Sequence, residues 1–204
     1  MIDQEKEVKF YLSHPDQLLD RLKLSGAELI QPRTLERNLR FDTPDGALTR
    51  AGRVLRLRQD TDVRLTYKDS GEIIDGVLTR REIEFVANDF AAAKRFFEAL
   101  GYQVHTAYEK YRQIFNLGDL HITIDEMPYG SFAEIEGTYA TQIQAAADLL
   151  RLDWSKRINE SYLRLFERLK ENQGFNFNDL SFENFQGIRI DPQALGVSPA
   201  DLTS

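Results

Sequence analysis

The sequence predicts an α+β fold in which eight antiparallel strands form a barrel and helices pack outside it. Three observations lead to this prediction. Apolar and charged side chains alternate along eight short segments, which is the pattern of a strand with one buried face. Other segments carry apolar residues at helical spacing. The polar faces of the strands are dense in charge, whereas a face exposed only to water usually also carries many Thr, Gln and Ser residues.

The opening segment shows the strand pattern. Val8 and Phe10 fall on one face, and Glu5 and Glu7 fall on the other. Two carboxylates at this spacing lie about 7 Å apart and repel each other unless a cation lies between them. The eight predicted strands cover residues 5–12, 35–43, 53–59, 63–68, 78–86, 108–115, 120–125 and 132–136.

Four helices are predicted from apolar residues at helical spacing, together with a single helical turn at 48–52. They lie between His14 and Gly26, from Asn88 to Gly101, from Ala140 to Leu152 and from Glu160 to Leu169.

The end of the chain has a different character, because four Phe residues stand among polar ones without sustained periodicity. We therefore predict a main domain over residues 1–172 and a C-terminal appendage over residues 173–204. The appendage is expected to wrap on the domain, cover a cavity mouth or form a homodimer contact.

Composition narrows the classes of function. A net charge of -7 argues against a nucleic-acid partner that binds a broad basic surface. The absence of cysteine excludes disulfides, thiolate nucleophiles and Cys-zinc sites, and the three histidines lack the spacing of metal ligands. No apolar run or signal-peptide pattern is visible, so we expect a cytoplasmic protein without a membrane partner.

Two architectures can carry such strands: an open sheet with a solvated charged face, or a barrel with a wet, charged interior. The density of charge favours the barrel. Like-signed pairs such as Glu5/Glu7 and Arg56/Arg58 further favour a bipolar ligand, with metal ions at acidic pairs and an anion at basic pairs. The polar faces carry seven carboxylates, Glu5, Glu7, Glu82, Glu84, Asp125, Glu134 and Glu136, and eight cations, Lys9, Arg40, Arg56, Arg58, Lys68, Arg80, Lys110 and Arg112.

Eight ordered blocks between Ile2 and Lys170 resemble the CYTH or triphosphate tunnel metalloenzyme superfamily, which includes class IV adenylyl cyclases, thiamine triphosphatases and inorganic tripolyphosphatases. The first block, Glu5-Lys6-Glu7-Val8-Lys9, fits the family's ExExK signature. The others are Phe41-Asp42-Thr43-Pro44-Asp45, Leu55-Arg56-Leu57-Arg58, Tyr67-Lys68, Arg80-Arg81-Glu82-Ile83-Glu84, Lys110-Tyr111-Arg112, Asp125 and Phe132-Ala133-Glu134-Ile135-Glu136. The pair Ser161-Tyr162 also resembles a family feature.

The resemblance implies an eight-stranded triphosphate tunnel that uses Mg²⁺ or Mn²⁺. Glu5, Glu7 and Lys9 are implied as catalytic residues. The implied metal ligands are Glu5, Glu7, Asp125, Glu134 and Glu136. The implied triphosphate-binding residues are Lys9, Arg40, Arg56, Arg58, Lys68, Arg80, Lys110 and Arg112, with Lys156 or Arg157 as further basic candidates.

The expected function is metal-dependent hydrolysis of tripolyphosphate, thiamine triphosphate or a nucleoside triphosphate. A class IV adenylyl cyclase is the first alternative. Family cyclases can carry a His-Phe pair before ExExK, and its absence from residues 1–4 favours hydrolysis. A non-catalytic polyphosphate or nucleotide sensor is the second alternative, and an open-sheet interaction protein is the third.

Overall fold

A computed structural model describes residues 4–201, which form nine strands and five α-helices. The strands are β1 (Gln4–Leu12), β2 (Glu28–Asp42), β3 (Val54–Gln59), β4 (Val63–Lys68), β5 (Glu72–Ile74), β6 (Val77–Ala87), β7 (Gln103–Leu117), β8 (Leu120–Met127) and β9 (Gly130–Glu136). The α-helices are α1 (Pro15–Leu24), α2 (Ala47–Arg50), α3 (Phe90–Ala99), α4 (Ala140–Leu149) and α5 (Tyr162–Gln173), and two 3-10 helices cover Trp154–Lys156 and Pro192–Leu195.

Residues 1–3 and 202–204 lie outside the described residues. The expectation about a His-Phe pair before ExExK rests mainly on the first of these segments. The predicted appendage includes the second.

The strands close into a barrel because β1 is hydrogen-bonded along both edges. The antiparallel order is β1-β9-β8-β7-β2-β3-β4-β6, and β6 returns to β1 through the register from Gln4↔Arg81 to Glu7↔Leu78. This ring, with helices outside it, confirms the predicted fold class. The open-sheet alternative is wrong, because an open sheet would leave β1 as an edge strand with one partner.

Strand β5 was not predicted. It pairs with Val77–Thr79 of β6 and continues the edge of β6 that β4 occupies, so the ring keeps eight strands. Asp75 and Gly76 form the turn between β5 and β6, and both have positive φ, at 52° and 81°. A two-residue turn with this backbone joins hairpin strands tightly. Three residues are too few for alternation to be recognised.

Strands β2 and β7 are longer than predicted, at 15 residues each. They pair from Glu28↔Asn116 to Asp42↔Gln103, with register shifts on either side of Gln31. Pro32 lies at the second shift. Because proline lacks an N–H group, it interrupts the ladder, which explains why the sequence pattern did not extend the strand back to Glu28.

Apolar outer faces of the barrel pack against the helices. Leu18 and Leu22 of α1 and Ile143 of α4 are fully buried in one core with Phe10 and Ile135. On another side, Phe97 of α3 packs on Phe41 with ring centroids 4.9 Å apart. Because side chains alternate along each strand, this packing directs the charged residues into the barrel. No helix within residues 4–201 is long and apolar enough to cross a membrane.

The C-terminal segment packs along the barrel and α5. Leu180 exchanges two backbone hydrogen bonds of 2.9 Å with Ala107 and Glu109, on a stretch of β7 that β8 does not reach. Phe185 and Leu195 are buried in a core with Phe166 of α5. Further along, the Asp201 carboxylate accepts hydrogen bonds from Ser13 N and His14 N at the start of α1. The boundary at residue 172 and the homodimer contact stay predictions.

Asp42 organises the turn that follows β2. Its carboxylate accepts hydrogen bonds from Thr43 N, Leu48 N and Thr49 N at 2.8 to 2.9 Å, and from the Thr49 hydroxyl. Burial alone would raise the pKa of Asp42, but these hydrogen bonds outweigh it and lower the pKa to about 2. The carboxylate therefore fixes the chain between β2 and β3, the two strands that carry Arg40 and Arg56.

We predict that Leu180→Ala lowers the free energy of unfolding by about 2 to 5 kcal/mol, because it empties a fully buried site between the tail and the barrel. The matched control is Leu24→Ala, at a side chain that is 88% exposed, and it should change stability by less than about 0.5 kcal/mol. Urea unfolding followed by circular dichroism measures both. Equal effects would contradict the packing of the tail.

We also predict that Asp42→Asn destabilises the protein at pH 7 by about 1 to 3 kcal/mol, because charge-assisted hydrogen bonds to the turn are weakened. The folded pKa lies below the ordinary value of 3.8, so the carboxylate contributes stability above that pH and loses it as the pH falls toward 2. The difference between the two proteins should therefore shrink between pH 4 and pH 2. A difference that stays constant over this range would argue against the assignment.

Candidate functional site

The charged faces of the strands meet inside the barrel around a cavity of about 410 Å³, which we call the tunnel. Its lining combines cations and carboxylates from seven of the eight ring strands, with few apolar side chains. The predicted site residues in this lining are Glu5, Glu7, Lys9, Arg40, Arg56, Arg58, Lys68, Arg80, Lys110, Arg112, Glu134 and Glu136. Asp125 is fully buried beneath the lining.

Three arginines on β3 and β4 surround one carboxylate on β6, and we call them the arginine cluster: Arg56, Arg58 and Arg64. Each lies within 3.3 to 3.5 Å of Glu84. Arg56 also donates to the Thr66 hydroxyl at 3.0 Å. Arg58 also lies 3.4 Å from Asp60, and Arg64 lies 2.9 Å from Asp62. An anionic ligand would therefore compete with these carboxylates for the guanidinium groups.

Burial lowers the pKa of a guanidinium group, and neighbouring charges either outweigh this effect or add to it. For Arg56, Tyr108, Glu36 and Glu84 outweigh burial, so the pKa of the guanidinium is raised. For Arg58, burial and the adjacent charge of Arg56 lower the pKa. Both remain cations at neutral pH.

A second group, the floor cluster, consists of Lys9, Lys110, Arg112, Asp125 and Glu134. Arg112 donates to both Asp125 and Glu134, and Lys110 Nζ lies 3.0 Å from Asp125 Oδ2. Lys9 pairs with Glu134, its cross-strand neighbour. Burial disfavours the charge of Glu134, but Lys9 and Arg112 overcome this effect and hold its pKa well below the ordinary value.

Tyr162, the first residue of α5, joins the floor cluster from outside the barrel. Its hydroxyl donates to Asp125 Oδ2 at 2.8 Å. Lys9 Nζ lies 4.5 Å from the centre of its ring, within the range of a cation-π contact. The preceding Ser161 caps α5 by accepting from Arg164 N. Ser161 therefore caps α5, and Tyr162 places its hydroxyl against Asp125 and its ring against Lys9.

A third group, the acidic cluster, consists of Glu5, Glu7, Glu82 and Glu136. Arg80 donates to Glu5 at 2.8 Å and to Glu7 at 3.1 Å, and Lys68 pairs with Glu5 and Glu82. Burial would raise the pKa of Glu5, but Lys68 and Arg80 lower it to about 2.

Glu136 is the acidic residue of this cluster that lacks an ion pair among residues 4–201. It lies directly opposite Glu7 in the β1–β9 register. Burial and the charges of Glu5 and Glu7 raise the pKa of Glu136 to about 7. Negative charge is therefore in excess at this point of the tunnel.

The acidic cluster has the oxygen donors that Mg²⁺ and Mn²⁺ prefer. A cation near Glu7 and Glu136 would relieve their mutual repulsion, so the donors fit such an ion in their chemistry. Within the described part of the chain, however, no three such side chains converge on one point, and Arg80 and Lys68 engage Glu5 and its neighbours. Metal binding would require these ion pairs to open.

The predicted metal ligands divide between two places. Glu136 faces Glu7, but Glu134 and Asp125 lie among cations of the floor cluster. This division follows from the register of β9 on β1, which also sets Glu134 opposite Lys9. The metal-binding role of Glu134 and Asp125 stays a prediction.

Two further basic candidates lie outside the tunnel lining. Arg157 donates to the carbonyl oxygens of Gly76 and Trp154, and Lys156 lies 3.7 Å from Asp153. Lys156 ends the 3-10 helix that precedes α5 and Arg157 follows it, so their contacts are with neighbouring structure outside the tunnel.

Sequence reasoning missed Glu36 and Arg64 as site residues. Glu36 is fully buried, with Lys110 Nζ at 3.5 Å and Arg58 Nη1 at 3.7 Å, and these cations keep its pKa low although burial would raise it. Residues at even spacing along a strand lie on the same face. Glu36 therefore shares a face with Arg40, and Arg64 shares a face with Lys68. Period-two alternation could therefore have identified them.

Comparison with known proteins gives a relative from Aeromonas hydrophila named adenylate cyclase CyaB. It is 28% identical over 176 residues, which cover 80% of this chain and 89% of the relative.

Among solved structures, a Vibrio parahaemolyticus protein described as a "putative adenylate cyclase" matches with a TM-score of 0.73 and 24% identity, covering 82% of this chain and 99% of that one. A Hippeastrum protein, described as a "putative adenylyl cyclase" with a dominant triphosphatase activity, matches with a TM-score of 0.59 and 18% identity. That match covers 80% of this chain and 94% of the Hippeastrum chain. At these identities the structural matches show a shared fold.

The family model described as the CYTH domain matches residues 3–168, which include all of the strands and the start of α5. The chain therefore belongs to the CYTH domain family.

Proposed function

We propose that this protein is a divalent-metal-dependent triphosphatase that hydrolyses tripolyphosphate, thiamine triphosphate or a nucleoside triphosphate. The observation that carries the proposal is the tunnel lining, in which cations gather on β3 and β4 and a carboxylate excess lies on β1 and β9. A phosphate chain that carries metal ions has the complementary distribution of charge.

The arginine cluster supplies the phosphate contacts. Guanidinium groups match phosphate oxygens with paired donors, and the strands hold Arg56 and Arg58 in place before a ligand arrives. Lys9 and Lys110 add point charges from the floor cluster. Because the strands already orient these groups, they can stabilise charge on the transferred and leaving phosphoryl groups once phosphate oxygens replace their carboxylate partners.

The carboxylates of Glu5, Glu7 and Glu136 would hold the metal. A divalent ion bound there supplies positive charge to the phosphate oxygens and favours a reactive water. Arg80 lines the tunnel beside this cluster and donates to Glu5 and Glu7, so it would have to give up these carboxylates for the metal to bind and could then donate to phosphate oxygens. Glu7 and Glu136, which are opposite each other on neighbouring strands, would be the carboxylates available to hold the metal.

Hydrolysis agrees better than cyclisation with the composition of the wall. The tunnel is lined mainly by charged side chains, and Tyr108 and Tyr162 are its aromatic residues apart from His121. Tyr162 is already engaged with Asp125 and with the ammonium group of Lys9. One of the two tyrosine rings of the lining is therefore not free to stack on a nucleobase.

A class IV adenylyl cyclase is the second candidate. The name of the Aeromonas hydrophila relative supports it. The same arginines and carboxylates would then bind ATP, and the attacking group would be the ribose hydroxyl.

We expect the purified protein to release phosphate from tripolyphosphate, thiamine triphosphate or ATP with Mg²⁺ or Mn²⁺, and to lose this activity in EDTA. Phosphate, pyrophosphate and cyclic AMP are quantified in the same reactions. Cyclic AMP with pyrophosphate as the main products from ATP would replace the proposal with the cyclase. Binding of all three compounds without turnover would indicate a sensor.

Arg56→Gln is expected to lower kcat/KM by about 10²- to 10³-fold, because it removes a preorganised donor of the arginine cluster. The fold should persist, since Glu84 keeps Arg58 and Arg64 as partners. The control is Arg37→Gln on β2, whose side chain is 65% exposed and outside the tunnel lining. Steady-state kinetics and thermal unfolding separate the two effects. Similar losses in both variants would count against the tunnel as the site.

A further inference from the structure

A second cavity, of about 720 Å³, adjoins the tunnel, and we call it the vestibule. The two cavities share five lining residues: Arg40, Val54, Arg80, Ser161 and Leu163. These residues therefore form the boundary at which the two cavities adjoin. The outer wall comes from the segment after α2, the start of β7 and the outer side of α5.

The vestibule wall carries more positive than negative charge. Its own cations are Arg53, Arg164 and Lys170, and its acidic residue is Glu167. Arg164 is paired with Glu167 at 2.9 Å, so these two charges offset each other. The rest of the wall therefore has a net positive charge.

Two vestibule cations have weak acidic partners or none. Lys170 donates to the neutral amide oxygen of Asn178 at 2.6 Å and has no carboxylate within 4.0 Å among residues 4–201. Arg53 lies 4.0 Å from Asp69, at the limit of an ion pair. These groups gain more from an anionic ligand than cations already held by carboxylates would gain.

Arg40 stands at the junction of the two cavities. Within the described residues no carboxylate lies within 4.0 Å of it, and its hydrogen bond of 3.5 Å goes to the Arg53 carbonyl oxygen. Its Nε is buried without a hydrogen-bond partner. Burial and the nearby charges of Arg56 and Arg80 lower its pKa. A partly buried cation with an unused donor favours an anionic group at this point.

We propose that the vestibule binds the continuation of the phosphate chain, so that the protein prefers linear polyphosphates longer than three phosphoryl groups. The inference rests on the proposed function for the tunnel and adds the class of substrate. Three phosphoryl groups occupy the tunnel, the next lies against Arg40, and later ones lie against Arg53 and Lys170. A neutral organic group would leave these three cations without a counter-charge.

The test measures binding, so that it does not depend on turnover. Inorganic tripolyphosphate, inorganic tetraphosphate, a longer linear polyphosphate and ATP are titrated into the full chain by calorimetry in EDTA. We expect tetraphosphate to bind about tenfold more tightly than tripolyphosphate, which corresponds to about 1.4 kcal/mol, and the longer chain to bind more tightly than tetraphosphate.

The test variant is the double substitution Arg53→Gln/Lys170→Gln, which lies outside the tunnel lining. It should leave the Kd of tripolyphosphate within about twofold and abolish the preference of the longer chain over tetraphosphate. The control, Arg37→Gln/Lys94→Gln, removes the same net charge at sites outside both cavities and should keep the preference. Thermal unfolding checks that each variant is folded.

Several results would overturn the inference. Equal affinity for tripolyphosphate and the longer anions would do so while leaving the triphosphatase proposal in place. Tighter binding of ATP than of tetraphosphate would assign the vestibule to a nucleoside. An equal loss in test and control variants would show a general effect of charge. Failure of every anion to bind in EDTA would overturn the inference, whereas the proposed function is decided separately by phosphate release with Mg²⁺ or Mn²⁺.

Discussion

The structure depends on neutralising charge that the barrel encloses. Eight strands direct ionic side chains inward, and an unpaired ion in a place of low dielectric is costly. The barrel meets this constraint by setting carboxylates between cations: Glu84 among three arginines, Asp125 under Lys110 and Arg112, and Glu5 between Lys68 and Arg80. Without a ligand, the cations that would bind phosphate are held by the protein's own carboxylates.

This arrangement has a consequence for ligand binding. A phosphate chain does not enter an uncharged pocket but competes with internal carboxylates for the same guanidinium groups. The competition is least severe where neutralisation is incomplete, at Arg40 among the cations and at Glu136 among the acids. These two positions are therefore where an anion and a metal ion, respectively, gain most from binding.

Much of the fold could be predicted from the sequence, because period-two alternation survives wherever one strand face is apolar and the other ionic. Residues 53–59 and 63–68 show this, and their pairing places Leu57 opposite Leu65 in the core. Strands could not be predicted where the alternation was interrupted or where the strand was too short to show it. Pro32 interrupts the pairing in the first part of β2, and β5 is too short to show alternation because it has three residues. Glu36 and Arg64 could have been included by assigning every residue at even spacing along a strand to the same face.

The division of the carboxylates could not be predicted in this way. Glu134 and Glu136 have the same spacing and type, so the sequence presents them as one pair. Their environments differ because β1 sets Lys9 opposite one and Glu7 opposite the other. Residue type and spacing identify the members of a site. Cross-strand register, which depends on distant segments, determines which of them are neutralised.

The two-sided pairing of β1 also bears on how the chain acquires its structure during synthesis. This strand precedes the other described strands in the sequence, yet its partner β9 is complete only at Glu136, and Tyr11 O accepts a hydrogen bond from the distant Ala200 N. Contacts of such sequence separation impose a large loop-closure entropy and slow folding. The nascent chain must therefore keep the β9 edge of β1 unpaired, with Val8 and Phe10 exposed to aggregation or chaperones, until Glu136 has been synthesised.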